Sequence, residues 1–136
     1  MKPLTKHAKK SFILLTLILT VLGTGQIQAQ GFSPKDLDGN WTRNDGMMIS
    51  ISGTGTFEEG GNALVMSVGQ SGWPASTAHY AFKYREIKYV QGNTWKGINY
   101  RHRTETNARV KDGEAIFVMS NDKKSFKASG YTYIKN

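Results

Sequence analysis

The 136-residue sequence contains no cysteine, which excludes disulfides and a cysteine-linked lipid anchor. It has only three prolines against 15 glycines, a balance typical of a β domain with glycine turns rather than of a proline-rich disordered chain. It also lacks a long apolar segment, because the longest run, at positions 12–22, is well short of the ~20 residues that a membrane-spanning helix needs. We therefore expect a soluble protein without a stable membrane anchor, stabilised by its core alone.

A basic leader precedes that apolar run. Four lysines lie between positions 2 and 10, and the small and polar residues after the run end at Ala29. This order of charged, apolar and small residues is typical of a secretory signal peptide. We predict a signal peptide over residues 1–29, a single domain over residues 30–136, and export to the periplasm or the medium. A membrane anchor is the alternative that the short run disfavours.

Positive charge is modest once the leader is set aside. Four of the 18 basic residues and none of the 10 acidic residues lie in the leader, which leaves 14 basic against 10 acidic residues and a net charge of +4. A nucleic-acid-binding domain typically carries a clustered basic stripe. We therefore expect no nucleic-acid partner.

The first segment after the leader reads as a β-hairpin. Asn44-Asp45-Gly46 supplies turn residues that tolerate positive φ angles. In this hairpin Trp41 falls on the same face as three apolar residues of the next strand, Met47, Ile49 and Ile51. We predict that this face points inward and that Trp41 closes one end of the core.

The later segments repeat the alternation of short apolar strands and turn residues, with no helical periodicity. We predict a very short strand at Phe57, a strand over residues 63–68, a hairpin tip at Gly92-Asn93, a hairpin turn at Asp112-Gly113 and a turn over residues 121–124. A meander of this kind closes to hide its edges. The sequence thus predicts an all-β fold, a small antiparallel up-and-down β-barrel of about eight strands.

The hairpin around Gly92-Asn93 carries most of the candidate ligand-binding residues. Its apolar positions change phase near Arg85-Glu86, which predicts a one-residue β-bulge. One inward face is then expected to collect six side chains, paired across the hairpin as Ile87 with Ile98, Tyr84 with Tyr100, and Phe82 with His102. The outer face is expected to hold Lys83, Lys88, Arg101 and Arg103.

An irregular connection over residues 69–78 carries Trp73 and is the best candidate for a loop at the barrel mouth. Polar groups among inward rings are costly to bury unpaired, which favours a partly open, partly polar pocket. We predict that Trp73 gates this pocket and that the ligand-binding residues are Trp73, Tyr80, Phe82, Tyr84, Tyr100 and His102. An exposed platform that stacks sugars or oligonucleotides is the alternative use of these aromatic residues, with Trp73 its strongest member.

Leu37, Gly39 and Trp41, at the start of an antiparallel all-β chain, form a Gly-x-Trp pattern that resembles the signature of lipocalins and the wider calycin group. In that family the tryptophan closes one barrel end and an arginine near the last strand stacks on it. Here the final strands offer only Lys127 and Lys135 in that place. The resemblance, which covers about the first hairpin, implies a lipocalin-like barrel that holds a small apolar or aromatic ligand.

Motifs for catalysis and metal binding are absent from the sequence. Residues 30–136 contain two histidines, His79 and His102, without a spacing that predicts a metal site. His102 lies between two arginines, but neighbouring residues of a strand point to opposite faces, so the three cannot address one ligand. No Gly-x-Ser-x-Gly nucleophile motif occurs. We expect no enzymatic activity, no cofactor and no metal.

Two functions are compatible with an eight-stranded barrel, which is just wide enough to be filled by side chains or to hold one small ligand. The first is an exported protein that holds a small apolar or aromatic molecule in its barrel. The alternative is a secreted structural or protein-interaction module with a filled barrel, which would bind a protein partner through Lys83, Arg101 and Arg103.

Overall fold

The computed structural model describes residues 31–136, of which Ser33–Asn136 form one structural unit. The signal peptide predicted for residues 1–29 lies outside the described residues. A 3-10 turn at Pro34–Leu37 precedes eight strands: β1 (Gly39–Arg43), β2 (Met48–Ser52), β3 (Gly61–Ser67), β4 (Phe82–Gln91), β5 (Thr94–Arg103), β6 (Ala108–Met119), β7 (Ser125–Ala128) and β8 (Tyr131–Lys135). Each strand pairs antiparallel with the next, and β8 pairs with β1. The predicted all-β, eight-stranded up-and-down barrel is confirmed.

The first hairpin forms as its turn residues predict. Gly46 has a φ of +89°, and its amide donates a hydrogen bond of 2.8 Å to the carbonyl oxygen of Arg43. Trp41 pairs with Ile49 across the hairpin, and both side chains are fully buried together with Met47 and Ile51. The predicted inward face of this hairpin is confirmed.

The structure confirms the bulge predicted in β4 but not the hairpin turn predicted at Asp112-Gly113. The bulge at Arg85-Glu86 is confirmed, because the β4–β5 register shifts there and Glu86 has a φ of +53°. The hairpin turn predicted at Asp112-Gly113 is wrong, because β6 runs through it and stays paired with β5 on both sides. The pair forms a bulge opposite Asn99 instead, with Gly113 at a φ of +80°. A bulge and a tight turn both need positive φ, so the same two residues suit either one.

The strand predicted at Phe57 is also wrong. The amide of Phe57 donates to the carbonyl oxygen of Gly53, and the amide of Gly60 donates to the carbonyl oxygen of Phe57, so this stretch consists of two successive turns. The φ angles of Gly53 and Gly60 are +82° and +96°. With turns on both sides Phe57 stays half-exposed. The predicted turns at Gly92-Asn93 and over residues 121–124 are confirmed.

Large side chains fill the barrel. Phe126 stacks on Tyr133 with 4.6 Å between ring centroids, and Tyr84 meets Phe117 edge to face at 4.8 Å. Such ring pairs stabilise a core beyond the area that they bury. The largest fully buried side chains are those of Trp41, Trp95, Tyr84, Tyr133, Phe117, Phe126, Leu37, Met47, Ile49, Ile87, Met119 and Val65.

Trp41 closes the end of the barrel that holds the 3-10 turn, which we call the lower end. The indole nitrogen of Trp41 donates a hydrogen bond to the carbonyl oxygen of Leu37 at 3.0 Å. The indole nitrogen of Trp95 donates one to the carbonyl oxygen of Pro34 at 2.9 Å. The ammonium of Lys135 lies 5.4 Å from the Trp41 ring, where the resemblance implies an arginine. An eight-stranded antiparallel barrel closed in this way is consistent with a calycin-like fold.

Candidate functional site at the upper end of the barrel

The opposite, upper end holds the β1–β2, β3–β4, β5–β6 and β7–β8 connections. Three of the four buried polar or charged residues in the described part of the chain lie near this end: Arg43, Lys83 and Asn99. The barrel interior therefore changes from apolar at the lower end to polar at the upper end. Because buried polar groups need hydrogen-bond partners, the partners of these three residues define the structure of the upper end.

The β4–β5 register decides which side chains of β5 face inward, and the prediction for it is wrong by one residue. Tyr84 pairs with Asn99 rather than with Tyr100. A second register shift between Tyr89 and Gln91, in addition to the bulge at Glu86, accounts for the difference. A slip of one residue turns every side chain of a strand to the other face.

The inward row of β5 consequently consists of Trp95, Gly97 and Asn99, all of which are buried. Tyr100 and His102 alternate with this row and lie on the outer face, half-buried. The single inward face predicted to unite them with Tyr84 and Phe82 does not form. Of the six predicted ligand-binding residues only Tyr84 lies inside the barrel.

Tyr84 is fully buried, and its hydroxyl lies 2.9 Å from that of Tyr133. Burial raises the pKa of the Tyr84 hydroxyl, so the pair stays protonated around neutral pH. Tyr80 is 80% exposed and lies in the connection before β4. The sequence thus names a correct barrel-lining residue in Tyr84, and an exposed one in Tyr80.

The remaining four predicted residues lie half-buried around the upper part of β4, β5 and β6. Trp73 contacts His102 with ring centroids 6.1 Å apart. The guanidinium carbon of Arg109 is 5.8 Å from the ring centroids of both Phe82 and Tyr100. A second arginine, 4.8 Å from the Phe82 ring, completes a surface that we call the aromatic–arginine face: Trp73, Phe82, Arg85, Tyr100, His102 and Arg109.

The charge of the aromatic–arginine face is positive. Arg85 and Arg109 are exposed, and within residues 31–136 neither forms an ion pair with a carboxylate. Their contacts are with ring faces, whose negative quadrupole attracts a cation. The guanidinium groups keep their hydrogen-bond donors for solvent or for a ligand.

Lys83 lies beside this face but points into the barrel. The prediction that it lies on the outer face is wrong, because Lys83 is only 4% exposed. The β3–β4 register shifts beside it, so Lys83 and Tyr84 are both buried although they are consecutive in a strand. The ammonium donates to Asn99 Oδ1 at 2.5 Å and to the carbonyl oxygen of Tyr100 at 2.7 Å.

The side-chain amide of Asn99 hydrogen-bonds to both Lys83 and Asp112. Asn99 Nδ2 is 3.4 Å from Asp112 Oδ2, and the other oxygen of Asp112 is 3.3 Å from Arg101 Nε. Burial is the largest cause that lowers the pKa of Lys83, to about 8, and the positive charge of Arg43 acts in the same direction. Asp112 and Asp45 oppose this shift without cancelling it.

Arg43 is the contrasting buried cation at the same end. Its guanidinium forms two hydrogen bonds with the carboxylate of Asp45, at 2.8 and 2.5 Å, and lies 3.8 Å from the Tyr131 ring. The hydrogen bonds from Arg43 lower the pKa of Asp45. Arg43 is therefore electrically compensated, whereas Lys83 is not.

Arg101 and Arg103, two of the residues predicted to bind a protein partner, are exposed near the β5–β6 turn. With Glu105 and Thr106 they line a depression of about 320 Å³. Within residues 31–136 no group of three or more His, Cys, Asp or Glu side chains converges as a metal site. No helix in this part of the chain is long and apolar enough to cross a membrane.

Sequence reasoning missed Lys83, Asn99 and Arg109 as parts of the site. The irregular pairing of β4 turns Lys83 inward, and no sequence motif predicts this irregularity. Arg101 and Arg103 flank His102 in β5 and were the arginines predicted to bind a partner, although Arg109 of the paired strand β6 is the one that contacts the rings. Comparisons with protein-family models, with curated proteins and with solved structures find no match for this chain.

Proposed function

We propose that this protein is a binding module with a filled barrel and that its aromatic–arginine face recognises an acidic carbohydrate. The observation that carries the proposal is the presence of four half-buried rings and two unpaired, exposed arginines on one outer surface. Aromatic rings stack on the flat apolar side of a sugar ring. Arginine binds carboxylate or sulfate through paired, charge-assisted hydrogen bonds.

The filled barrel supports binding on an outer surface. A ligand in the barrel would have to displace buried rings such as those of Phe117 and Tyr133, which pack against Phe126. Losing the packing of one large aromatic side chain typically costs about 3 to 5 kcal/mol. The outer rings, in contrast, are already in contact with solvent and need no such rearrangement.

An oligonucleotide is the competing ligand class, because bases also stack on aromatic rings beside cations. The modest net charge of residues 30–136 favours the carbohydrate, since nucleic-acid binders gain most of their affinity from many phosphate contacts. A carbohydrate with one acid group per sugar needs only the two arginines of the face.

The test is titration of a uronic-acid oligosaccharide, and of its neutral counterpart, followed by calorimetry and tryptophan fluorescence. Tyr100→Ala and Arg109→Gln are each expected to weaken binding of the acidic sugar by about tenfold, equivalent to about 1.4 kcal/mol. Tyr80→Ala and Arg103→Gln are the matched controls, since both residues are exposed and lie off the face. The controls are expected to bind as wild type does.

Three results would contradict the proposal. These are equal affinity for the neutral sugar, equal losses in the face variants and the controls, and tighter binding of a single-stranded oligonucleotide with a steep dependence on salt. An apolar ligand held inside the barrel, as the lipocalin resemblance implies, is tested by a ligand screen with thermal shift and native mass spectrometry. A bound apolar molecule that is retained in Tyr100→Ala would favour that alternative.

Export and kinship with the lipocalins also belong to the proposal. Export is supported by the charged, apolar and small order of the leader. The kinship is supported by the Gly-x-Trp residues at the closed barrel end and by the Lys135 ammonium over the Trp41 ring.

A further inference from the structure

Lys83 is an uncommon kind of residue for a barrel interior. Lysine is almost never fully buried without a paired charge, because removing an ammonium from water is costly. In residues 31–136 no carboxylate lies within ion-pair distance of Lys83, whereas Arg43 at the same barrel end has Asp45. The described part of the chain therefore holds a buried amine that the packing of the core does not explain.

Burial is the main cause that favours the neutral form of this amine, and the positive charge of Arg43 acts in the same direction. Two oxygens, from Asn99 and from the backbone of Tyr100, accept its hydrogen bonds without supplying a negative charge. Two rings cover it, with centroids at 5.7 Å for Trp73 and 4.9 Å for Tyr84, and these contacts oppose the effect of burial only in part. The charged groups that face it are Arg43 on β1, Asp45 in the following turn and Asp112 on β6, and their effects partly cancel.

The balance of these effects leaves the pKa of Lys83 at about 8. At pH 7 about one such amine in ten is unprotonated, compared with about one in three thousand for an ordinary exposed lysine. The unprotonated amine is the nucleophilic form, and burial beside another cation is a known way to obtain it.

We propose that Lys83 binds a small aldehyde covalently and reversibly beneath the ring of Trp73. The nitrogen lone pair of the neutral amine forms a bond to the carbonyl carbon, and the π electrons of the carbonyl move to its oxygen. A proton passes from nitrogen to that oxygen and gives a carbinolamine. Loss of water then gives the imine, and addition of water reverses both steps.

Trp73 determines which aldehydes reach the amine. It belongs to the long β3–β4 connection, between Ser67 and Phe82, and its ring centroid lies 5.7 Å from the Lys83 ammonium and 6.1 Å from the centroid of the His102 ring. Gly72, directly before it, has a φ of +83°, and no neighbouring atom lies within 4 Å of the position that a Cβ would take there. Because the Trp73 ring covers the amine, we expect small aldehydes such as acetaldehyde to react faster than bulky ones. This site goes beyond the proposed function and shares with the aromatic–arginine face only the ring of Trp73 and the backbone carbonyl of Tyr100.

The experiment is reductive trapping on the folded protein. Acetaldehyde and sodium cyanoborohydride are added at pH 7, and the ethylated lysines are located by peptide mapping with mass spectrometry. Lys96, whose side chain is about half-exposed, is the internal control. The initial labelling rate of Lys83 is expected to exceed that of Lys96 by at least tenfold, with a pH midpoint near that of the Lys83 amine. In urea the two rates are expected to become equal.

Asn99→Asp separates reactivity from mere accessibility. It places a carboxylate beside the amine without changing the size of the side chain, so the ammonium is stabilised and the labelling rate of Lys83 at pH 7 is expected to fall by tenfold or more. Lys83→Arg removes the site and confirms the peptide assignment. Equal labelling of Lys83 in wild type and Asn99→Asp would overturn the proposal. The proposal would also be overturned if only Lys96 were labelled, or if Lys83 were labelled in the Trp73→Ala variant but not in wild type.

Discussion

Raising the pH from 7 to 9.5 is expected to stabilise this protein through Lys83. The pKa of Lys83 falls from 10.5, its ordinary value, to about 8 on folding. Between these two values the unfolded chain binds more protons than the folded one, so the free energy of unfolding rises with pH. The whole effect, from below pH 8 to above pH 10.5, is about 3 kcal/mol. The part between pH 7 and pH 9.5 is about 2 kcal/mol.

The measurement compares wild type with Lys83→Met by urea and thermal unfolding at several pH values. Methionine keeps the length of the side chain and removes the titration, so the wild-type curve minus the variant curve isolates Lys83. The series ends at pH 9.5 because burial raises the pKa of Tyr84 and Tyr133, and their ionisation in the unfolded chain destabilises the fold at higher pH. Wild type is expected to gain about 8 °C in Tm relative to the variant.

A difference curve that stays flat between pH 7 and pH 9.5 would refute the reasoning, because it would mean that Lys83 titrates alike in the folded and unfolded states. A falling curve would mean that Asp112 or Asp45 stabilises the ammonium more than burial destabilises it. The absolute stability of Lys83→Met does not decide the matter, since that variant also leaves Asn99 Oδ1 without its hydrogen bond.

Three further predictions concern other parts of the chain. Trp41→Ala is expected to cost about 3 to 5 kcal/mol of unfolding free energy in a urea titration, because the ring closes the lower barrel end, and an unchanged midpoint would contradict that role. Asp45→Asn is expected to cost about 3 kcal/mol or more at pH 7 because it leaves Arg43 buried without its partner, whereas Glu114→Gln, at an exposed pair, is expected to cost less than about 1 kcal/mol. Since the pKa of Asp45 is lowered, its contribution is present at neutral pH and is lost as the pH falls through the folded-state value, which acid unfolding of both variants checks. N-terminal sequencing of the secreted protein is expected to begin at Gln30, and an intact Met1 in a membrane fraction would exclude export.

The fold could be predicted from the sequence wherever local chemistry leaves one solution. The residues Asn44-Asp45-Gly46 favour a turn whatever the pairing of the flanking strands. The alternation of apolar and polar residues around Trp41 then sets the inward face of the first hairpin. Asp112-Gly113 suits both a turn and a bulge, and the choice depends on whether β5 is long enough to pair on both sides. That length is a property of the partner strand and is not visible in the two residues themselves.

The sequence predicts which residues of the candidate site lie near one another, but not on which face of the barrel they lie. Trp73, Phe82, Tyr100 and His102 do gather in one region, but on the outer face, because two register shifts on β4 move β5 by one position relative to the single-bulge prediction. The sequence shows the chemistry of each side chain. The face on which the side chain lies depends on whether the number of one-residue register shifts before it is odd or even. Because the side chains of a strand alternate between its two faces, one bulge left out of a prediction moves every later side chain to the opposite face.

The same irregular pairing explains how a barrel with an apolar core comes to hold a lysine amine. In a regular strand Lys83 would alternate with Tyr84 and lie in solvent, and the register shift in the β3–β4 pairing is what brings both side chains inside. Arg43 reaches the interior without such a device, through the alternation that buries Trp41, and Asp45 follows it within two residues to compensate its charge. Lys83 has no acid so close in sequence. Asp112 hydrogen-bonds to Asn99 rather than to Lys83 itself, and its charge does not cancel the effect of burial, so the pKa of the amine stays at about 8.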